Sequence, residues 1–132
     1  AARAAVELAA QTSARVRAIH VLADGQISRA LHGSSASATE ERRARQAAAV
    51  LHFVADLAMR AGVELETTSL TGEPAKVILD EAVRWPADVV VLGRAGDRHV
   101  GQPYIGSDVR HVLEFATLPV LVVPAMEAVR PR

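Results

Sequence analysis

Two spacings of apolar residues divide the first half of the chain into helices and a strand. Residues 1–14 are rich in alanine and predict a helix, whereas residues 15–22 alternate and then become apolar, which predicts a strand entering a core. Ser37 and Glu40 form a capping box, so a long helix is expected to start there and to end at Gly62. Helical spacing turns one apolar face of this helix inward, formed by Ala47, Val50, Leu51, Val54, Leu57, Ala58 and Ala61.

The second half of the chain continues the alternation of strands and helices. Residues 63–70 alternate like a strand with one wet face, which suits the edge of a sheet. Pro74 suits the first turn of a helix that stops at Trp85, because the residue before a proline disfavours the α region. Residues 88–92 and 119–123 are short apolar runs and predict fully buried strands. The inward residues of the helix after Pro74 are expected to be Ala75, Ile78, Leu79, Ala82 and Val83.

Helices and short apolar strands therefore alternate from one end of the chain to the other. This order implies βαβ units and an α/β fold, an open parallel sheet with helices on both faces in the Rossmann-like manner. The length of 132 residues, with no internal repeat, predicts a single domain over residues 1–132. Ligands of open parallel sheets bind beyond the carboxyl ends of the strands, where the loops after Leu22 and Leu92 are expected.

A glycine-rich loop follows the third predicted strand. It contains Gly93, Gly96 and, after nine further residues, Gly106 and Ser107, and a helix is predicted over residues 108–116. Glycines let backbone N–H groups approach an anion without a Cβ in the way. Ser107 suits the N-cap of the helix, whose first amides are free donors at the positive end of its dipole. The loop therefore predicts a site for a nucleotide or another phosphate-bearing ligand.

The side chains of this loop leave alternatives open. Arg94 and Arg98 can pair with phosphate, or they can be ordinary exposed loop charges. His99 can contact a phosphate, although a solvated histidine is the commoner case. Pro103 and Tyr104 are bulky for such a loop, and the alternative for the whole segment is a flexible connector.

Composition argues against several classes of function. The formal net charge is zero, which argues against nucleic acid or an anionic membrane as the main partner. The chain has no cysteine, which excludes disulfides and thiolate chemistry and fits a reducing cytoplasm. No apolar run approaches the roughly 18 residues of a membrane span, so no direct membrane insertion is expected. The histidines show no zinc-ligand spacing, and no metal site is expected.

The glycine pattern and its flanks resemble the nucleotide-binding signature of the universal stress protein family. The signature, Gly-x2-Gly-x9-Gly-Ser, is accompanied here by Gly-Glu-Pro-Ala at 72–75 and by a buried strand at 87–93 that opens with Ala-Asp. A Leu-Pro-Val stretch at 118–123 and His20-Val21 at the end of the first strand also match. These features occur in the family's order and spacing, and they cover essentially the whole chain.

The resemblance implies an adenine-nucleotide site. In the ATP-binding branch of the family the glycine loop wraps the phosphates and ribose, which assigns phosphate contacts to Gly93, Gly96, Gly106 and the Ser107 hydroxyl. The backbone at Val21 is expected to meet the adenine. The ligand is then ATP or a related adenine nucleotide, with or without Mg²⁺. A second branch of the family binds no ATP, and in that case the site holds no nucleotide.

The chain departs from the family pattern at its start. The family's sheet begins with a central strand that ends in an Asp-containing loop, and this chain starts inside what resembles the helix after it. Removing a central strand leaves two β units with unpaired inner edges. Either further residues precede Ala1 in the protein, making residues 1–132 an N-terminally truncated domain, or another segment fills the place. Without the aspartate, a lower ligand affinity is expected.

Three functions follow from these observations. The first is a cytoplasmic stress-response or regulatory module that binds an adenine nucleotide and forms a homodimer through residues 119–123, as family members commonly do. The alternative is a dimerisation or regulatory domain of a larger protein, such as a transporter tail, that binds no nucleotide. The third is an enzyme of the related adenine-nucleotide α-hydrolase folds. The loop lacks the Gly-Lys-Ser/Thr ending of a P-loop, and Ser107 has no neighbouring His–Asp pair, so at most slow ATP hydrolysis is expected.

Overall fold

The computed structural model of the chain describes residues 1–22, 36–94 and 105–124. Within these ranges four helices alternate with four strands, which confirms the predicted order, and the element ends lie within about two residues of those expected. In chain order the elements are α1 (Ala2–Thr12), β1 (Val16–Leu22), α2 (Ala36–Ala61), β2 (Leu65–Thr71), α3 (Pro74–Arg84), β3 (Val90–Gly93), α4 (Ser107–Phe115) and β4 (Val120–Val123).

The four strands form two parallel pairs instead of one continuous sheet. In the first pair β1 runs beside β2, with Val16 opposite Leu65. In the second pair β3 runs beside β4, with Val90 opposite Val120. No ladder joins β1 to β3 in the described part of the chain. The parallel α/β class is confirmed, and the sheet is interrupted between its two halves.

The relative order of the two pairs follows from where the connecting helices pack. The helix α3 follows β2 but packs on β1 as well, so the chain crosses over β1 on its way to β3. The helix α2, which joins β1 to β2, packs with α1, whereas α3 packs with α4. Parallel crossovers are right-handed, and this places α1 and α2 on one face and α3 and α4 on the other. The resulting order is β2-β1 and then β3-β4, so the free edges of β1 and β3 face each other.

Small aliphatic side chains fill the space between helices and strands. Much of the predicted inner face of α2 and α3 is confirmed, but Val50, Ala61 and Val83 are exposed. A sheet of two strands is narrower than the apolar stripe of a helix, so the margins of each stripe extend past the strands into solvent. The buried hydrophobic residues are Val6, Ala9, Ala47, Val54, Ala58, Ala75, Ala82, Val109 and Val112.

The strands predicted to be fully buried are only partly covered. Val90, Val91 and Leu92 are half-buried, and Val89 and Leu121 are exposed. A strand inside a parallel sheet is covered by neighbours along both edges and by helices on both faces. Here each strand has one bonded neighbour among the described residues, so the prediction of full burial is wrong.

Glycine ends the long helix α2, as predicted. Gly62 has φ +69°, and its N–H donates to the Met59 carbonyl oxygen at 3.2 Å. The N–H of Val63 donates to the Ala58 carbonyl oxygen at 2.8 Å, which satisfies another carbonyl of the last turn. The chain then turns into β2, whose Leu65 lies opposite Val16 of β1.

Candidate functional site

A glycine ties the carboxyl ends of β1 and β2 together. The N–H of Gly72 donates to the Leu22 carbonyl oxygen at 2.9 Å. Gly72 has φ +148°, and a Cβ at this position would lie 2.7 Å from Cγ2 of Val77. A larger residue at this turn would strain the backbone and would have to displace the Val77 side chain. The turn therefore fixes the end of β1, the strand that carries the predicted adenine contact at Val21.

Backbone hydrogen bonds anchor both ends of the glycine loop. The N–H of Arg94 donates to the Val123 carbonyl oxygen at 2.8 Å, and the N–H of Gly106 donates to the Arg94 carbonyl oxygen at 2.9 Å. These bonds hold the start of α4 beside the end of β3. They bring together four predicted site residues: Gly93, Arg94, Gly106 and Ser107. Other predicted or considered loop residues lie outside the described residues: Gly96, Arg98, His99, Pro103 and Tyr104.

The helix α4 begins one residue earlier than the predicted cap requires. Gly106 is the N-cap, with extended backbone (φ −62°, ψ 155°), and its carbonyl oxygen accepts from the Arg110 N–H at 3.0 Å. Ser107 is therefore the first helical residue, and the prediction that it is the N-cap is wrong. The N–H groups of Ser107, Asp108 and Val109 precede the first intrahelical donor. They form the positive end of the helix dipole, which is where an anion binds.

The backbone of Val21 points away from β2. In a parallel ladder, alternate residues direct both backbone groups to the same neighbour. The Val16 N–H donates to the Glu64 carbonyl oxygen, and the Leu22 carbonyl oxygen accepts from Gly72, so the even-numbered residues of β1 bond to β2. The N–H and C=O of Val21 therefore face the second strand pair.

Gly93 shows the complementary arrangement in β3. The Val90 N–H donates to the Pro119 carbonyl oxygen at 3.0 Å, and Arg94 donates to Val123, so the even-numbered residues of β3 bond to β4. Gly93 directs its N–H and C=O toward β1, and a Cβ built on it would meet no described atom within 4 Å. Val21 and Gly93 thus present backbone groups from opposite sides of one opening at the carboxyl edge.

A side-chain pair near this edge was not predicted. Glu73 is the N-cap residue of α3, and its Oε1 lies 3.6 Å from Nδ1 of His111 on α4. The His111 ring also lies 5.0 Å from the ring of Phe115, centroid to centroid. The two positions are far apart in the chain, and only the packing of α3 on α4 reveals the contact. Both side chains of the pair are exposed, so the link is a weak one.

No metal centre is found in the described part of the chain, which contains no group of three or more His, Asp or Glu side chains placed to hold an ion. None of the described helices is both long and apolar enough to cross a membrane. The chemistry that the described part of this edge offers is backbone N–H donors and a serine hydroxyl, and Arg94 lies half-buried directly after β3.

The comparisons with known proteins all indicate the same family. The model of the universal stress protein family matches residues 1–124. Universal stress protein MJ0531 of Methanocaldococcus jannaschii is 30% identical over 123 residues, which span 93% of this chain and 72% of that protein. Universal stress protein Sll1388 of Synechocystis sp. is 39% identical over 62 residues, which is 47% of this chain and 40% of the relative's length.

Solved structures share the fold at lower identity. The crystal structure of a universal stress protein in complex with cAMP superposes with a TM-score of 0.64 at 22% identity, covering 94% of this chain and 84% of the other. A universal stress protein from Archaeoglobus fulgidus in complex with dAMP superposes with a TM-score of 0.63 at 24% identity, covering 92% and 82%. These likenesses confirm the fold class.

Proposed function

Because the chain belongs to the universal stress protein family, we propose that it binds an adenine nucleotide with a phosphate at the amino end of α4. One observation carries the proposal, the hydrogen bond from Gly106 to the Arg94 carbonyl oxygen at 2.9 Å. That bond holds the unbonded first amides of α4 beside Gly93, as an anion site between a strand and a helix requires. The relatives that hold cAMP and dAMP support an adenine ligand.

In this proposal the described site residues have roles that their positions allow. The N–H groups of Ser107 and Asp108 and the Ser107 hydroxyl donate to the phosphate. Gly93 provides the clearance for its approach, since open space lies where a side chain would begin. The backbone of Val21, which points away from β2, meets the adenine from the first strand pair.

ATP is the form of the proposed ligand that carries a triphosphate. A triphosphate extends from α4 toward Arg94 and, in the proposal, toward Gly96 in the glycine loop. Mg²⁺ prefers oxygen ligands and keeps several waters, so a bound nucleotide is expected to bring the ion on its own phosphates. The proposed setting is the cytoplasm, where a cysteine-free chain meets adenine nucleotides.

Asp108 supplies the sharpest test of the phosphate position. Its exposed carboxylate lies in the first turn of α4, where it competes with an anionic ligand for the same positive helix end. We expect Asp108→Asn to tighten AMP binding by about two- to fivefold, which corresponds to roughly 0.3–1 kcal/mol. Isothermal titration calorimetry with AMP and ATP measures it.

Glu114→Gln is the matched control for that variant. Glu114 is exposed near the other end of α4, so the substitution changes the net charge equally but leaves the first turn intact. Its AMP affinity is expected to equal that of the parent chain. A folded sample that gives no heat at millimolar AMP or ATP contradicts the proposal, as does an equal effect of the two variants.

The second candidate function is a dimerisation or regulatory domain that binds no nucleotide. The same Asp108 favours it, because a carboxylate at the helix start opposes phosphate. β4 also favours it: Leu121 is exposed, and β4 bonds only to β3 among the described strands. In both candidate functions we propose a homodimer through residues 119–123. Light scattering together with calorimetry separates them, since a dimer without nucleotide binding selects the second.

A further inference from the structure

We infer that the groove between α1 and α2 is a contact surface for a second copy of this chain, related to the first by a half-turn. The groove is lined by six residues: Arg3, Val6, Glu7, Leu57, Arg60 and Ala61. Its two helices cover the first strand pair, whereas residues 119–123 and the proposed phosphate site belong to the second. The inference does not depend on nucleotide binding.

The floor of the groove is apolar and open to solvent. Val6 of α1 is 4% exposed, Leu57 of α2 is half-buried, and Ala61 is exposed. The groove has a volume of about 230 Å³, below the roughly 300–1,000 Å³ typical of pockets for small molecules. An open apolar groove of this size between two helices suits the side chains of another packed helix better than an enclosed ligand.

The two sides of the groove carry opposite charges. Glu7 belongs to the α1 side and Arg60 to the α2 side, and both are exposed. Glu7 forms no ion pair with another described residue. Arg60 lies 3.1 Å from Asp56, but both side chains of this pair are exposed. Exposed pairs contribute little, so the Arg60 guanidinium is available to a second carboxylate.

Opposite charges on opposite sides make this surface complementary to itself. Consider an axis perpendicular to the groove that passes midway between Glu7 and Arg60. A half-turn about it brings Glu7 of one copy to Arg60 of the other, and the contact occurs twice, as in any isologous interface. The formal net charge of zero leaves no overall repulsion between the copies. The charge pattern therefore favours a second copy as the occupant.

The same half-turn suits the packing of the helices. α1 and α2 run in the same direction, because Arg3 lies over the Phe53 ring and, further along both helices, Val6 and Leu57 line one groove. A half-turn perpendicular to them makes the helices of the second copy antiparallel to those of the first, which brings opposite ends of the helix dipoles together.

Small side chains next to the charged residues permit a close approach, but the contact is limited in extent. Ala10, one turn after Glu7, and Ala61, next to Arg60, are both exposed. The distance between packed helices depends on the side chains at their contact, and alanine keeps it short. Interfaces below about 1,200 Å² are typical of transient encounters. We therefore expect a weak association, measurable at chain concentrations from about 10 μM to about 1 mM.

Two charge reversals, measured by sedimentation equilibrium, test this geometry. Glu7→Arg places cations on both sides of the groove and Arg60→Glu places carboxylates on both, so each variant repels a copy of itself. In an equimolar mixture the substituted arginine meets the substituted glutamate, and the unaltered Glu7 meets the unaltered Arg60. We expect the dissociation constant to rise at least about tenfold for each variant alone and to return to within about threefold of the parent value in the mixture.

Lys76→Glu is the matched control for the charge reversals. Lys76 is exposed on α3, on the other face of the strands, and its reversal changes the net charge as much as Arg60→Glu does. Its self-association is expected to equal that of the parent, and any pairing through residues 119–123 is common to all the chains compared. A mixture that associates no more strongly than the separate variants overturns the inference. Equal association of the parent and of Glu7→Arg overturns it as well.

Discussion

We expect a single substitution to reduce stability most at the ion pair between β1 and α3, whose carboxylate, that of Glu81, is buried. Nη2 of Arg17 lies 2.9 Å from Oε1 of Glu81, and Nη1 lies 2.7 Å from Oε2 of Glu66. The Glu81 side chain is only 7% exposed, and its second partner, Arg84, is 3.7 Å away and 76% exposed. Arg17→Met keeps much of the aliphatic stem but leaves the Glu81 carboxylate buried with one weak partner.

The magnitude follows from what remains around Glu81. Removing one partner of a buried pair costs about 3–5 kcal/mol, because the other charge stays desolvated. The exposed Arg84 recovers at most about 1 kcal/mol of this. We therefore expect Arg17→Met to lower the free energy of unfolding by about 3 kcal/mol, a large part of the roughly 5–15 kcal/mol available to a small domain. Removing both charges in Arg17→Met/Glu81→Leu is expected to return stability to within about 1 kcal/mol of the parent.

Urea unfolding followed by tryptophan fluorescence measures these differences. Trp85 is the only tryptophan, and the guanidinium of Arg15 lies 5.5 Å from the centroid of its ring. Arg60→Met is the matched control: Arg60 pairs with Asp56 at 3.1 Å, but both side chains are exposed, so its expected cost is below about 0.5 kcal/mol. Equal costs for the two single variants refute the argument from burial. A double variant that loses as much as Arg17→Met does so as well.

Two further predictions concern the backbone. Gly72→Ala is expected to lower the free energy of unfolding in urea by about 1–3 kcal/mol, because φ is +148° and the new Cβ meets Cγ2 of Val77. Adding Val77→Ala should restore only the part of this loss that is due to the clash. Gly62→Ala, with no contact within 4 Å, should cost about 1 kcal/mol, and a cost above that of Gly72→Ala contradicts this account. Ile19→Pro removes an N–H that points away from β2, whereas His20→Pro removes one that bonds to β2. The second should therefore cost about 1 kcal/mol more, with Ile19→Ala as the control for side-chain loss.

The order of the elements could be predicted because it depends on local spacing. Residues close in sequence determine three of these features: the apolar stripe of α2, its end at Gly62 and the start of α3 at a proline. Burial could not be predicted as well, because it depends on neighbours. Val90 and Leu121 belong to strands that look like core strands, yet each strand has one bonded neighbour in the described structure.

Charged residues within apolar segments can indicate a buried ion pair, and this one was not predicted from the sequence. Arg17 interrupts an apolar strand, and Glu81 lies beside the inner face of α3, one residue from Ala82. Each alone has an ordinary solvated interpretation, and their pairing needs the packing of α3 on β1. The cap of α4 shows the same limit at shorter range. Serine is a common N-cap, but the bond from Gly106 to Arg94 places the start of the helix at the glycine.

The interruption between the two strand pairs divides the candidate site into halves with different structural support. The proposed phosphate site belongs to β3 and α4, which the bonds of Arg94 to Val123 and of Gly106 to Arg94 hold together with β4. The proposed adenine contact belongs to β1, which shares no ladder with β3 among the described residues. We therefore expect phosphate recognition to depend on the second strand pair and α4 alone, whereas recognition of the base also depends on the spacing between the two pairs.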